Sequence, residues 1–287
     1  MNFDFTRKFA LKRLETFVNE NLKDYPKKRN FDFGVSKRNN VSCLSPYITH
    51  GLLTEYEVLE EVLKKYKYPE AKKFIDEIFW RIYWRGWLET RPKLWDDYTY
   101  SLSYLKKKGD YIKAISGNTN INCFNFWINE IKKYNYLHNH SRMWFASIWI
   151  FTLNLPWQLG AEFFLENLFD GDEASNTLSW RWVAGLQTKG KNYIAKKQNI
   201  ELYSNHKVER NMLKKSTPIV ENVSYEFEKF VPRVKKNFKN KNLLILENNL
   251  DFLYKENFLN KYKKIFILSL EKKFRLNDLS ENVLIFK

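Results

Sequence analysis

A mainly α-helical fold is predicted for residues 1–214, followed by a small C-terminal α/β-like extension over 215–287. Three observations predict it. Apolar residues recur at helical spacing through the first part of the chain, with Pro and Gly at the ends of the runs. All ten tryptophans lie between Trp80 and Trp182, and all nine glycines lie at or before Gly190. The remaining C-terminal part is rich in Lys, Asn, Leu and Phe, and it carries three short branched-rich runs at 243–246, 265–270 and 283–286 around a helix-like stretch at 250–261. That order is the pattern of a β-α-β fragment.

The elements follow in turn. Over 3–24, Phe9, Leu11, Leu14, Phe17 and Val18 fall near helical spacing, and Tyr25-Pro26 stops the pattern. The polar stretch 27–40 reads as a loop. Ser45-Pro46 opens a helix, with Ser as a cap and Pro fitting the first turn. Residues 54–66 and 71–90 are amphipathic helices, the second ending ahead of Arg91-Pro92. The stretch 106–122 reads as loop or short helix. Helices follow over 124–136 and 142–154, and Pro156 starts another that runs to about residue 169. Gly171 breaks that helix, and the next begins at Glu173. The most apolar run, 143–155, is too short to span a bilayer and reads as a buried helix.

Composition narrows the function classes. Lys and Arg number 49 against 33 Asp and Glu, a net charge of +16, with 17% aromatic residues. This is a folded basic protein rather than a disordered basic tail, and nucleic acid is its natural partner. Cys43 and Cys123 cannot staple a framework, which predicts a reducing, cytoplasmic setting. The N-terminal sequence lacks the apolar core and cleavage site of a secretory leader.

Metal chemistry is not indicated: His138-Asn139-His140 has no further ligands at a zinc spacing. No phosphate-cradling Gly-rich loop or nucleophile signature occurs. Two other groups of residues are more informative. On the helix through 74–89, Glu77, Trp80, Arg81 and Trp84 share one face. The bland reading is a core stripe with a snorkelling Glu. The sharper one is a pocket where indoles stack on a flat base while a carboxyl group meets its edge. The second group is Asp170-Gly171-Asp172, followed by Asn176 and Trp180-Arg181-Trp182. An Asp-Gly-Asp turn is usually solvated, but here apolar residues and tryptophans surround it, so its carboxylates need partners. Arg142 is the natural cation.

These residues carry a resemblance. Asn139 to Met143, Leu155-Pro156-Trp157, Phe169 to Asn176 and Trp180-Arg181-Trp182 resemble the FAD-binding helical domain of the DNA photolyase/cryptochrome family. So do Ser42-Cys43-Leu44-Ser45-Pro46-Tyr47, Tyr25 to Arg29, and Glu77 to Arg81, in the same order along roughly residues 1–205. The resemblance implies FAD as cofactor, active in its reduced form. Its diphosphate would lie against Tyr25, Ser42, Leu44 and Ser45, with Cys43, Phe74, Glu77 and Arg81 also lining the site. Arg142 would pair with Asp170 beneath the isoalloxazine, Asp172 would face its polar edge, and Asn176 would sit by N5.

The same resemblance implies a lesion pocket of Glu77, Trp80, Asn139, Met143 and Trp182. Burial of Glu77 is expected, favouring a protonated carboxyl that donates to the bases. Asn139 and Met143 resemble cyclobutane-dimer enzymes. In (6–4) photolyases a His pair stands there, which His140 does not supply. The implied reaction is light-driven electron transfer that splits pyrimidine dimers flipped from UV-damaged DNA, single or double stranded. Arg29, Lys28 and Arg85, with Trp80 and His140, would contact that DNA. Alternatives are a cryptochrome-like photoreceptor using the same pocket without repair, a (6–4) photolyase, or a basic helical nucleic-acid-binding protein without catalysis. Trp180 and Trp157 match the first two members of the family's electron-transfer chain, and Tyr104 aligns nearest the third, with Trp95 as a stand-in. The family's N-terminal antenna domain has no counterpart, so no antenna chromophore is expected. No membrane association is expected, and the chain is expected to be a monomer.

Overall fold

The computed structural model describes residues 3–188, 191–209, 212–213 and 223–229, together with the backbone of three strands at 242–246, 264–268 and 283–286. The helices are α1 (Arg7–Thr16), α2 (Tyr25–Lys28), α3 (Ser45–Thr49), α4 (Glu55–Lys65), α5 (Tyr68–Glu89), α6 (Pro92–Leu102), α7 (Asp110–Ser116), α8 (Asn122–Tyr134), α9 (Asn139–Ser147), α10 (Trp157–Asn167), α11 (Glu173–Ala184) and α12 (Lys197–Tyr203). Local chemistry accounts for several of their ends. Thr54 and Glu57 form a reciprocal capping box at the start of α4, satisfying two otherwise unpaired N–H groups. Asp172 caps α11 by accepting from the Ser175 N–H at 2.8 Å, and Gly185 closes the same helix with φ +88°, which glycine adopts without strain.

The fold class holds, with three local differences. Tyr25-Pro26 does not stop the first helical run in a loop. Pro26 sits in the first turn of the short α2, where its missing N–H is harmless. Arg91-Pro92 likewise both ends α5 and starts α6, a helix the spacing did not predict. The helix from α9 widens into a π turn at Ile148–Thr152 instead of continuing unbroken.

The core forms around two main clusters. One buries Phe17, Tyr25, Leu44, Tyr47, Phe74 and Ile78 between the N-terminal helices and α5. The other buries Trp127, Trp144, Phe145, Trp149, Trp157 and Trp180 among α8–α11. A smaller one joins Leu88, Leu94, Ala174 and Leu178. Gly160 is needed for close approach in the second cluster: a Cβ there would lie 2.3 Å from Trp180 Cη2 and 2.5 Å from Cζ3.

The C-terminal strands β1 (Asn242–Leu246), β2 (Lys264–Leu268) and β3 (Val283–Phe286) pair in parallel in that order. The helix expected at 250–261 lies outside the described residues. Segment 223–229 returns to the helices: the Glu228 N–H donates to Thr90 O at 2.8 Å, and Tyr225 packs on the Leu88–Leu94–Leu178 cluster. Among the described residues no helix is long and apolar enough to cross a membrane.

Candidate FAD and nucleic-acid site

The acidic turn between α10 and α11 meets the cation the sequence nominated. Arg142, from the first turn of α9, reaches Asp170 at 2.9 Å, and the Asp170 side chain is 3% exposed. The Ser45 hydroxyl at the start of α3 donates to the same carboxylate at 2.5 Å. Two chain segments far apart in sequence are thus joined on one anion. Burial opposes the Arg142 charge, but Asp170 and Tyr136 outweigh it and hold the proton more tightly than usual. Arg142 also lies 4.9 Å from the Tyr136 ring centroid.

Asp172 faces the other way, towards α5. Arg81 reaches it at 3.1 Å and Arg85 at 3.2 Å. Burial works against the Asp172 carboxylate, yet Arg81, the Ser175 N–H and Arg85 together hold its pKa below the ordinary value. Glu55 bridges both arginines, at 3.3 Å from Arg81 and 3.2 Å from Arg85. Asn176, one turn into α11, donates its amide nitrogen to Ala161 O at 2.9 Å, which fixes the amide and keeps its carbonyl oxygen as an acceptor.

The segment before α3 is held by Arg13, whose Nε donates to Ser42 O at 2.8 Å. Cys43 takes a left-handed conformation, φ +51°, and its thiol is pushed up by burial. Leu44 is buried beneath the turn. Tyr25 stands edge-on to Phe74 at 5.2 Å, and both are buried. Burial first, then Glu77, raises the Tyr25 phenol.

The lesion-side residues divide. Trp80 is 52% exposed and lies 5.7 Å from Trp84. Asn139 is exposed and Met143 half-buried, one turn apart on α9. Trp182 is half-buried and stacks on Tyr193 at 5.8 Å and 26°. Glu77 departs from expectation: its side chain is 37% exposed and pairs with Arg29, on the stretch of α5 where Phe79 and Trp80 are exposed too. Arg85 pairs with Glu55 and Asp172 through a side chain that stays 36% exposed. His140 is 9% exposed. Its Nδ1 lies 2.9 Å from Asn30 O and its Nε2 3.3 Å from Tyr193 Oη, so it is a packing residue and not a surface contact for DNA. Lys28 is exposed and pairs with Asp24 at 2.6 Å.

The electron-transfer residues are placed unevenly. Trp180 and Trp157 are buried. Tyr104 is 63% exposed, and its ring neighbour is Tyr100. The ring stacked on Trp157 is Tyr98, at 5.5 Å and 20°. Sequence reasoning passed over Tyr98, and also Arg13, Glu55 and Tyr136, whose partners are distant along the chain. Among the described residues no cluster of His, Cys, Asp or Glu could hold a metal.

The donor set fits a flavin nucleotide. The Ser42 hydroxyl with the Arg13 cation suits a diphosphate. Asp172 and the Asn176 carbonyl oxygen suit ring N–H groups, and the Arg142–Asp170 pair is a fixed polar group.

Known proteins agree. Residues 74–248 match the family model described as the FAD binding domain of DNA photolyase. A deoxyribodipyrimidine photo-lyase of Buchnera aphidicola subsp. Baizongia pistaciae is 27% identical over 73% of this chain and 47% of its own length. One from Streptomyces griseus is 32% identical over 51% of this chain and 32% of its own length. The chain therefore spans about half the length of the first of these, or less. Among solved structures, a class III photolyase from Agrobacterium tumefaciens shares 25% identity with a TM-score of 0.59, over 69% of this chain and 42% of that one. A Synechocystis cryptochrome shares the fold at 22% identity and a TM-score of 0.62, over 71% of this chain and 44% of that one. With the match covering well over half of its residues, and the Asp170–Asn176 turn and its partners in place, the chain belongs to the family of the FAD-binding domain of DNA photolyase.

Proposed function

We propose that this chain is a light-driven DNA-repair enzyme that splits cyclobutane pyrimidine dimers, acting as a monomer on single- or double-stranded DNA with reduced FAD. One observation carries the reading: α5 serves two sites at once. Arg81 points its buried side chain to Asp172, while Trp80, the residue before it, presents an indole at the surface. A cofactor cradle and an aromatic platform for a flipped base thus share one rigid helix.

When bound, reduced FAD would supply light-driven, reversible one-electron transfer to the dimer. The protein's own residues do the rest. Ser42, Ser45 and Tyr25 would hold the diphosphate, and the Arg142–Asp170 pair would help hold the ring. The Asn176 carbonyl oxygen, left free to accept by the bond of its amide nitrogen to Ala161 O, would accept from a ring N–H and so favour the reduced form. Trp80 and Trp182 stack on the extruded bases, and Asn139 and Met143 close the far side. Arg29 sits at the pocket rim with Glu77 and takes a phosphate when DNA binds, which makes affinity salt-dependent without reading sequence. A dimer pairs poorly within DNA, so extruding it costs less than extruding an intact pair. A light sensor without repair would need the flavin residues but not an exposed Trp80 beside Glu77.

Two substitutions separate the sites. Glu77→Ala is expected to slow repair by about 10- to 100-fold, the scale of one charge-assisted hydrogen bond, with FAD retained. Asn176→Ala is expected to speed air oxidation of the reduced flavin first. Loss of flavin from Glu77→Ala, with no change in the reduced state of Asn176→Ala, would reverse the assignment.

A further inference from the structure

The ring stacked on Trp157 belongs to a helix that no motif marked. Tyr98 lies face to face with Trp157 at 5.5 Å and 20°, and Trp95, one turn earlier on α6, lies 5.3 Å from Tyr98 at 45°. Burial falls off along this line. Trp157 and Tyr98 are both 4% exposed, whereas Trp95 is half-buried and reaches solvent. Tyr104 makes no such step.

We propose that Trp95 is the outer terminus of the electron-transfer chain and that Tyr98 is the aromatic bridge joining it to Trp157. The proposal rests on the reading of the site as a flavin photoenzyme.

Electrostatics gives the line a direction. The Arg181 guanidinium lies 5.6 Å from the Trp157 ring centroid, which disfavours a positive charge on that indole. Farther out, the carboxylates of Glu162 and Glu166 act on Tyr98, with Glu162 also paired to Lys107. The Arg181 cation thus disfavours a vacancy on Trp157 relative to rings farther from it.

Tyr98 itself is a poor resting place for that vacancy. Its hydroxyl is buried with no hydrogen-bond partner. Burial first, then Glu162 and Glu166, pushes its pKa up. An oxidised phenol must lose its proton to persist, and no acceptor is at hand. Trp95 can release its indole proton to water.

The balance closes at both ends. Electron donation from Trp157 by way of Trp180 towards photoexcited oxidised flavin leaves Trp157 one electron short. One electron passes from Trp95 through Tyr98 to Trp157. Trp95, having lost one electron and one proton, is restored by a thiol in solution that supplies both.

A competing branch, Trp180 to Trp149 at 6.1 Å and on to Tyr111 at 5.9 Å, ends on a buried phenol. It offers no tryptophan at the surface.

Transient absorption and EPR of the FAD-loaded protein with thiol present test the assignment. FAD content and far-ultraviolet circular dichroism serve as controls for each variant. Trp95→Phe is expected to lose the long-lived tryptophanyl radical and the thiol-dependent photoreduction while keeping FAD. Tyr98→Phe, which preserves the stacked ring, is expected to keep the radical, and Tyr98→Leu to lose it. Retention of the radical in Trp95→Phe, or its loss in Tyr104→Phe or Tyr111→Phe instead, would overturn the proposal. A wild-type protein that binds no flavin would fail the enzyme reading at an earlier, distinguishable step.

Discussion

Arg38→Met is expected to destabilise the protein by about 3–5 kcal/mol, the usual cost of removing one partner from a buried ion pair. For a helical body of this size that lowers the melting temperature by roughly 10 °C. Arg38 stands between two buried carboxylates, 2.8 Å from Asp32 and 2.8 Å from Glu130, with the three side chains 1%, 4% and 2% exposed. Ser141 adds a hydrogen bond to Asp32 at 2.7 Å. Without the guanidinium, both carboxylates remain in an apolar setting with too few donors. Thermal unfolding measures the effect. The triple substitution Asp32→Asn, Arg38→Met, Glu130→Gln is expected to recover much of the loss, since it removes the uncompensated charge as well. The effect also reaches the flavin site. Arg38 pins the loop that runs into Ser42 and Ser45, so Arg38→Met is expected to weaken FAD retention. An Arg38→Met protein with wild-type melting would show that the triad is not needed for stability.

The second large effect is a loss of stability as pH falls from about 6.5 to about 4. His138 is fully buried, and burial first, against the pull of Asp32, lowers its pKa from 6.5 to about 4. The unfolded chain therefore takes up the proton before the folded one. Stability from this residue is complete above pH 6.5 and is lost as pH falls through the folded value, about 3 kcal/mol in total. His140 and His206 are lowered as well and act in the same sense. Glu130, whose carboxyl burial pushes up, acts in the opposite sense. His138→Asn isolates the main contribution, because an amide oxygen can still accept from the His140 N–H, now bonded to His138 Nδ1 at 3.2 Å. Denaturant unfolding of the two proteins across this pH range is expected to give a flatter profile for the substituted one. Parallel profiles would contradict the account.

The Asp170–Asn176 turn was legible in the sequence because an acidic turn amid tryptophans and apolar helices demands a cation, and Arg142 was the one at hand. The Arg38 triad was not legible. Asp32 and Arg38 sit in a polar stretch that looks solvated, and Glu130 lies on a distant helix, so only tertiary packing reveals that all three are buried. Tyr98 escaped for a different reason. Arg91-Pro92 was read as the end of one helix, although proline in a first turn also starts the next. Without α6 there was no reason to place Trp95 and Tyr98 beside Trp157, and Tyr104 took the role by alignment. Glu77 and Arg85 were placed on the correct helix, but their charged partners could not be seen from helical spacing alone. Arg29 and Glu55 come from other segments.

The central claim is that flavin and lesion meet on α5. It is tested most directly by illuminating the FAD-loaded, reduced protein with blue light on an oligonucleotide containing one cyclobutane thymine dimer, beside a dark control and a (6–4) photoproduct. The account predicts light-dependent return of intact thymines from the cyclobutane dimer alone. Full FAD loading with no repair of either lesion, or repair of the (6–4) photoproduct in its place, would contradict it.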